Sequence, residues 1–456
     1  MTFTGARARV FRTFGDMRLG FSASARDYFL FKEGSARIFG VIRNATSKSM
    51  SADAQETNRF SEQSRKKRSH MSLSLKSKCL HLERSSTDGC SHYGAISFPI
   101  YQTATYAHPA VGESTGFDYS RLQNPTREQL ERTVAALEGG IDALALSSGM
   151  AAIALLMELF SPGDNIIADS DLYGGSIRLF DNVSRKNGIT FTRENISALD
   201  GAGLEALITP ATKAIYIETP TNPMMNVTDI AAVAGIAEKH GLLLIVDNTF
   251  MSPYFQNPLS LGADIVIHSG TKFLAGHNDT LAGFIVTNRA DIQEKLRFLI
   301  KTTGAGLSPF DSWLTLRGIK TLAVRMEKSQ ENAARIVAWL KEQPSVTKVI
   351  YPGLPEHPGF AVQKKQARGF GSMVTFNVTS EEKAKSILNK VRLIQFAESL
   401  GGVESLITYP VTQTHADVPE DIREKNGITT STLRLSVGIE DADDLVEDLR
   451  QALEEK

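Results

Sequence analysis

Cysteine is nearly absent, for 456 residues carry only Cys79 and Cys90. Two thiols without zinc-site spacing build neither a disulfide framework nor a zinc finger, so a disulfide-stapled secreted fold is excluded. A reducing, cytoplasmic setting is the expectation. Long apolar runs are missing too. The longest, such as Leu242 to Val246, are strand-sized, far from the roughly 18 to 20 residues that cross a bilayer. No membrane association is expected. Neither sign of charge dominates, since 50 Lys and Arg face 51 Asp and Glu. That balance gives no reason to expect a nucleic-acid partner. Histidines are few, and His268, His277 and His415 lie in separate segments without ligand spacing, so no metal is expected.

Charge is uneven in one place. Residues 1–70 hold 14 Lys and Arg against 6 Asp and Glu and end in RKKRSH. The segment is Arg- and Ser-rich like a transit peptide, yet its acidic residues, among them Asp16, Asp27 and Glu33, are what such peptides avoid. It reads as an extension, disordered or not native, with Met71 as the working start. The RKKR run reads as a solvated tail.

From Asp142 onward short apolar runs alternate with amphipathic stretches, the pattern of an α/β domain with a mainly parallel sheet. ALALSS reads as a strand feeding the helix GMAAIALLMELF, which Pro162 and Gly163 stop. NIIADS, KAIYIETP, LLLIVDNT and ADIVIHSG are near-continuous apolar strands, which implies a sheet covered on both faces. DIAAVAGIAEKHG has helical spacing, with Asp229 as its cap and Gly241 at its end. After about Thr321 long charged helices and the alternating strands GSMVTFNV and TLRLSVGI suggest a smaller α+β domain, with the boundary near residue 325. Ligands in open α/β sheets collect outside the carboxyl ends of the strands. Ser148, Asn222, Asp247 and Ser269 should therefore share one crevice.

Three features in that crevice carry chemistry. Lys272 follows a strand directly, behind Ser269, Gly270 and Thr271. Burial lowers a lysine pKa and frees the amine to attack an aldehyde, although a post-strand lysine taken alone is more often a surface residue. Asp247 ends a buried strand, where an unpaired carboxylate is costly. A pyridinium nitrogen would supply its counter-charge, while the plainer alternative is an Asp capping the next turn. SSGMAA runs from strand through Gly149 into a helix, so the amides of Gly149 and Met150 are placed to hold a phosphate.

SSGMAA, DLYGG, ETPTNP, VDNTF, HSGTK, AESLGGVESL and TLRLSVGIED occur in this order. Together they resemble the Cys/Met-metabolism family of fold-type I pyridoxal-phosphate enzymes, over roughly residues 90 to 453. The resemblance implies pyridoxal 5′-phosphate as cofactor, a seven-stranded-type, mainly parallel sheet in the large domain, and a smaller α+β C-terminal domain. It implies four parts: the extension 1–70, an arm over 71–128 that contributes to a neighbouring subunit's site, a cofactor domain over 129–325, and a C-terminal domain over 326–456. Position by position, Lys272 would be the Schiff-base lysine and catalytic base, Asp247 the partner of the pyridine nitrogen, and Tyr173 a ring that stacks on the cofactor and helps activate the substrate amine. Gly149, Met150, Ser269 and Thr271 would hold the phosphate, and Asn222 would sit beside the cofactor hydroxyl. Arg434 would grip the substrate carboxylate, with Ser399 orienting it and Glu398 nearby. FDYSRLQNPTR matches the loop that sends a tyrosine and an arginine, here Tyr119 and Arg121, into the neighbour's phosphate site. That implies a homo-oligomer, a dimer with shared sites and commonly a tetramer, acting on small amino-acid substrates.

Within the family, Glu398 before Ser399, and GGSIRLF without a cysteine after Tyr173, resemble the synthase and gamma-lyase pattern rather than methionine gamma-lyases. GESTGFDYSR, GHNDTLAG, SPFDSW and LITYPVTQTHADVPEDIR are most similar to bacterial cystathionine gamma-synthases that also accept sulfide with O-acetylhomoserine. The expected reaction is gamma-replacement on an O-acylhomoserine by cysteine or sulfide in methionine biosynthesis. A cystathionine beta-lyase or gamma-lyase is the alternative, and a catalytically silent binding protein on the same fold is a third reading.

Overall fold

Seven segments, β1 (Asp142–Leu146), β2 (Asn165–Asp169), β3 (Thr190–Glu194), β4 (Thr212–Glu218), β5 (Leu243–Asp247), β6 (Ile265–Ser269) and β7 (Gly283–Thr287), all but the edge strand β3 mainly apolar, form one sheet. The computed structural model describes residues 73–81 and 95–454. The expectations for residues 1–70 lie outside them. The strand order is β1-β7-β6-β5-β4-β2-β3. From β3 to β6 every pairing is parallel, and β7 alone runs antiparallel to both its neighbours. The expected seven-stranded, mainly parallel sheet is present.

Successive side chains of a strand point to opposite faces, and both faces here are dry. Ile215, Ile217, Leu244, Val246 and Val266 join one core, while Tyr216, Ile245, Ile265 and Ile267 join the other. This two-sided burial is why the strands read as unbroken apolar runs. The covering helices start where the side-chain caps predict. Ser148 accepts from the Ala151 amide at 3.0 Å and opens Gly149–Met157. Asp229 does the same for Ala232 at 3.0 Å and opens Ile230–Lys239, after which Gly241 turns the chain at φ 64°, a backbone state that costs glycine little. The helix after β1 ends at Met157, before Pro162, because the Glu158 to Phe160 amides turn back to Leu155, Leu156 and Met157 carbonyls.

A second sheet follows, made of β8 (Val346–Ile350), β9 (Met373–Val378), β10 (Gln395–Phe396), β11 (Leu406–Thr408) and β12 (Thr432–Ser436) in the order β10-β11-β12-β9-β8. Helices Glu381–Lys390 and Ala442–Leu453 bury Ile387, Leu445 and Leu449 against Phe376, Leu433 and Leu435 of this sheet. Helix Leu322–Leu340 serves both cores: Leu322 and Met326 pack with the large sheet, Ala333, Ile336 and Leu340 with the small one. Residue 325 lies within it. Arg325, buried on that helix, donates to the carbonyls of Phe273 at 2.7 Å and Gly318 at 2.9 Å. It thereby pins the segment that follows Lys272. Among the described residues no helix is long and apolar enough to cross a membrane.

Candidate active site

The carboxyl ends of the central strands open into a cavity of about 320 Å³. Ser148, Asn222, Asp247 and Ser269 all line it, as the strand-end argument requires.

Lys272 emerges one turn after β6, its amide donating to the Ser269 carbonyl at 3.2 Å. Its Nζ points into the cavity and donates to the Ser399 hydroxyl at 2.7 Å. Burial, with the Arg434 guanidinium adding to it, pushes the Lys272 amine down to about 8, against the opposing pull of Glu398. Such an amine is a ready nucleophile near neutrality. Ser399 holds its place with φ at 86°, a left-handed conformation rare for a serine.

Asp247 closes β5 with only 8% of its surface exposed. Its Oδ1 accepts from the Thr249 amide at 3.0 Å and from the Thr249 hydroxyl at 2.5 Å. One oxygen thus does cap the next turn. Burial raises its pKa, while the Thr249 bonds and the nearby His268 pull it down. A cation brought to this carboxylate would find a group whose charge is poorly compensated.

The helix Gly149–Met157 points its start at the same cavity, and the first amides of any helix lack an intrahelical acceptor. A β-carbon at Gly149 would lie 2.9 Å from Ser269 Cβ, so glycine is what lets the helix approach β6. Gly149, Met150, Ser269 and Thr271 all line this end of the cavity. Thr271 is anchored through Oγ1, which accepts from the Ala282 amide at 3.1 Å. Tyr173 lines the same cavity with 39% of its surface exposed. Gly174, behind it, packs so tightly that a β-carbon would collide with the Thr414 carbonyl.

Arg434 arrives from β12, in the other sheet, and is 1% exposed. Its Nη1 donates to Asn222 Oδ1 at 2.8 Å, and its Nη2 to the Ser399 carbonyl at 2.9 Å and Thr408 Oγ1 at 3.0 Å. Its Nε is buried with no partner among the described residues. Burial lowers its pKa to about 10, against the raising effect of Glu218, so it stays charged and ready for an anion. Glu398 is exposed and lines both this cavity and an adjoining chamber of about 960 Å³.

Eleven of the expected residues therefore meet in one place: Lys272, Asp247, Tyr173, Gly149, Met150, Ser269, Thr271, Asn222, Arg434, Ser399 and Glu398. Tyr119 and Arg121 do not line it. Tyr119 is 44% exposed, the Arg121 guanidinium carbon lies 5.5 Å from its ring centroid, and Arg121 donates to the Lys301 carbonyl. Sequence reasoning missed Glu218 and Thr249. Both stand in motifs it used, and a carboxylate ending an apolar strand, the signal that selected Asp247, applied equally to Glu218.

The set fits pyridoxal phosphate: a depressed-pKa amine for its aldehyde, a buried carboxylate for a ring cation, and a glycine-cradled helix start flanked by two hydroxyls for its phosphate.

A family model described as Cys/Met metabolism PLP-dependent enzyme matches residues 76–454. The chain is 51% identical over 360 residues to a cystathionine gamma-synthase/O-acetylhomoserine (thiol)-lyase of Bacillus subtilis, covering 79% of this chain and 92% of the relative. It is 48% identical over 383 residues to a cystathionine beta-lyase of Lactococcus lactis subsp. cremoris, covering 84% of this chain and 100% of that protein. The crystal structure of a cystathionine gamma-lyase from Lactobacillus plantarum, complexed with L-serine, superposes with a TM-score of 0.80 at 45% identity, covering 83% of this chain and 98% of the other.

Proposed function

The chain belongs to the Cys/Met metabolism PLP-dependent enzymes, and we propose that within this family it carries out gamma-replacement, joining cysteine or sulfide to an O-acylhomoserine. It is a transsulfuration enzyme that uses pyridoxal phosphate, which sets aside the reading as a silent binding protein. What supports the finer reading is the likeness of GESTGFDYSR, GHNDTLAG, SPFDSW and LITYPVTQTHADVPEDIR to gamma-synthases that also accept sulfide, while Glu398 at the cavity rim beside Ser399 and the cysteine-free stretch after Tyr173 fit a synthase or gamma-lyase rather than a methionine gamma-lyase.

Pyridoxal phosphate, when bound, supplies an electron sink for the pair left at the substrate Cα. Lys272 would hold it by the amine, Asp247 would face its ring nitrogen, and Gly149, Met150, Ser269 and Thr271 would hold its phosphate. Asn222 would sit beside its hydroxyl, and Tyr173 would stack on the ring face. Arg434 offers its free Nε to the substrate carboxylate. With a substrate amine in its place on the cofactor, the Lys272 amine would be placed to move protons at the substrate Cα and Cβ, giving up the first proton before it takes the second. The acyl group would leave Cγ as a carboxylate, the thiol would lose its proton as its sulfur bonds to Cγ, and Lys272 would return one proton each to Cβ and Cα. Its bond to Ser399 keeps the amine within reach of both carbons.

Tyr119 and Arg121 complete the phosphate site of a neighbouring copy, so the working unit is a homo-oligomer. The segment boundaries near residues 70, 128 and 325 belong to the same reading.

A second reading, cystathionine beta-lyase, is supported by the Lactococcus relative and uses the same residues with one proton abstraction fewer. Incubation with O-acetyl- or O-succinylhomoserine plus cysteine tests the choice. Cystathionine is the expected product. Pyruvate and ammonia released from cystathionine at a much higher kcat/KM would overturn gamma-replacement in favour of the lyase.

A further inference from the structure

β4 and β5 end side by side on two carboxyl groups. Glu218 and Asp247 are direct partners across the parallel pair, so their side chains leave the same face of the sheet. Both line the cavity, with exposures of 5% and 8%. Two adjacent buried carboxylates cannot both keep their charge cheaply, because each penalises the other where water does not screen them. A single ring nitrogen can compensate only one.

Their bonding distinguishes them. Asp247 takes two hydrogen bonds from Thr249 on one oxygen, and donors of that kind favour the ionised form. Glu218 takes one, from the backbone amide of Tyr173 to Oε2 at 3.0 Å, and has its second oxygen left to carry a proton. We propose that Glu218 is a positioning residue for the cofactor: its protonated carboxyl group holds the Tyr173 turn against the ring and leaves the pair's one negative charge on Asp247.

The charges around Glu218 agree. Burial first, then Asp247 on β5 and Asp171 and Asp169 at the end of β2, push its pKa well above its ordinary value, and the Tyr173 amide opposes them. Asp247 has His268, on β6, on the stabilising side. Tyr216, on β4, feels both carboxyls and is raised by them after its own burial. Glu218 in turn holds the Arg434 pKa up, but that guanidinium is already engaged by Asn222, Ser399 and Thr408. The inference rests on Asp247 serving the ring nitrogen, as in the function proposed above.

The experiment compares holoenzyme with Glu218→Gln and Glu218→Ala. Gln is neutral and keeps an oxygen for the Tyr173 amide, whereas Ala keeps neither group. Glu218→Gln should lose one protonated-carboxyl stretch from the infrared spectrum at neutral pH while retaining wild-type affinity of the apoprotein for pyridoxal phosphate. Glu218→Ala should weaken that affinity by about tenfold, the scale of one lost buried hydrogen bond, and reduce the visible circular dichroism of the bound ring. An infrared spectrum unchanged by Glu218→Gln, or a Gln variant as weak as Ala in cofactor affinity, would overturn the proposal. Neither readout depends on whether cystathionine is made or cleaved, so it stands apart from the reaction assay.

Discussion

Lys272 Nζ and Ser399 Oγ lie 2.7 Å apart, although 127 residues separate them in the chain. The bond ties the amine at the end of the large sheet to the loop between β10 and β11 of the small one. It also fixes where the amine points, and the same Ser399 gives its carbonyl to Arg434 at 2.9 Å. Base and carboxylate-binding group are thereby set by one residue.

Lys272→Ala should abolish the visible absorbance of lysine-bound cofactor and lower kcat by about 10²–10⁴-fold, the range for loss of a positioned base. Absorbance and steady-state rates check it. A variant that kept the wild-type spectrum would remove Lys272 from its role.

The Lys272 amine, pushed down to about 8, attacks an aldehyde only when unprotonated. Because its pKa is lowered, the reactive form appears as pH rises through that value. The rate at which apoprotein captures pyridoxal phosphate should climb up to about pH 8 and then level. A climb continuing toward about 10.4, the value of an ordinary lysine, would show that the cavity does not desolvate it.

Arg434→Lys removes the Nε and the planar fork, so kcat/KM for amino-acid substrates should fall by about 100-fold. Cofactor affinity should change much less, since Arg434 reaches Asn222 rather than the phosphate end. Equal losses in both quantities would mean that Arg434 supports the cofactor pocket instead.

Gly149→Ala places a methyl group against Ser269 Cβ. Prying the helix start from β6 should weaken pyridoxal-phosphate binding by about tenfold, as overpacking a tight contact does. Titration of cofactor onto apoprotein measures it, with thermal unfolding as the control for general damage.

Mixing inactive Lys272→Ala with inactive Arg121→Ala subunits tests the shared site. A hybrid dimer carries one site with both residues intact, so random reassortment should restore about a quarter of wild-type activity. No recovery from subunits shown to have exchanged would place Arg121 outside the neighbour's site.

Legibility varied with where a residue's partner came from. Lys272 and Asp247 stood out because a charged group ending an apolar strand breaks the local pattern. Arg434 did not: in TLRLSVG it looks like an arginine leaving an alternating strand, and only the family resemblance selected it. Its burial at 1% exposure follows from acceptors supplied by Asn222, Ser399 and Thr408, none of them near it in the chain. Glu218 was as visible as Asp247, but its meaning lay in the register that sets the two abreast.

What the sequence determined by itself was local and periodic: apolar strands, capped helices such as Ile230–Lys239, and ordered motifs that identify a cofactor chemistry. These depend on spacing and on neighbours a few residues away. The tertiary structure alone decided that a β12 arginine meets a β4-end asparagine, that Ser399 bonds Lys272, and that two buried carboxyls share one edge. Such meetings depend on how two sheets pack and in which register, and pairing register comes from the folded chain as a whole rather than from any one segment.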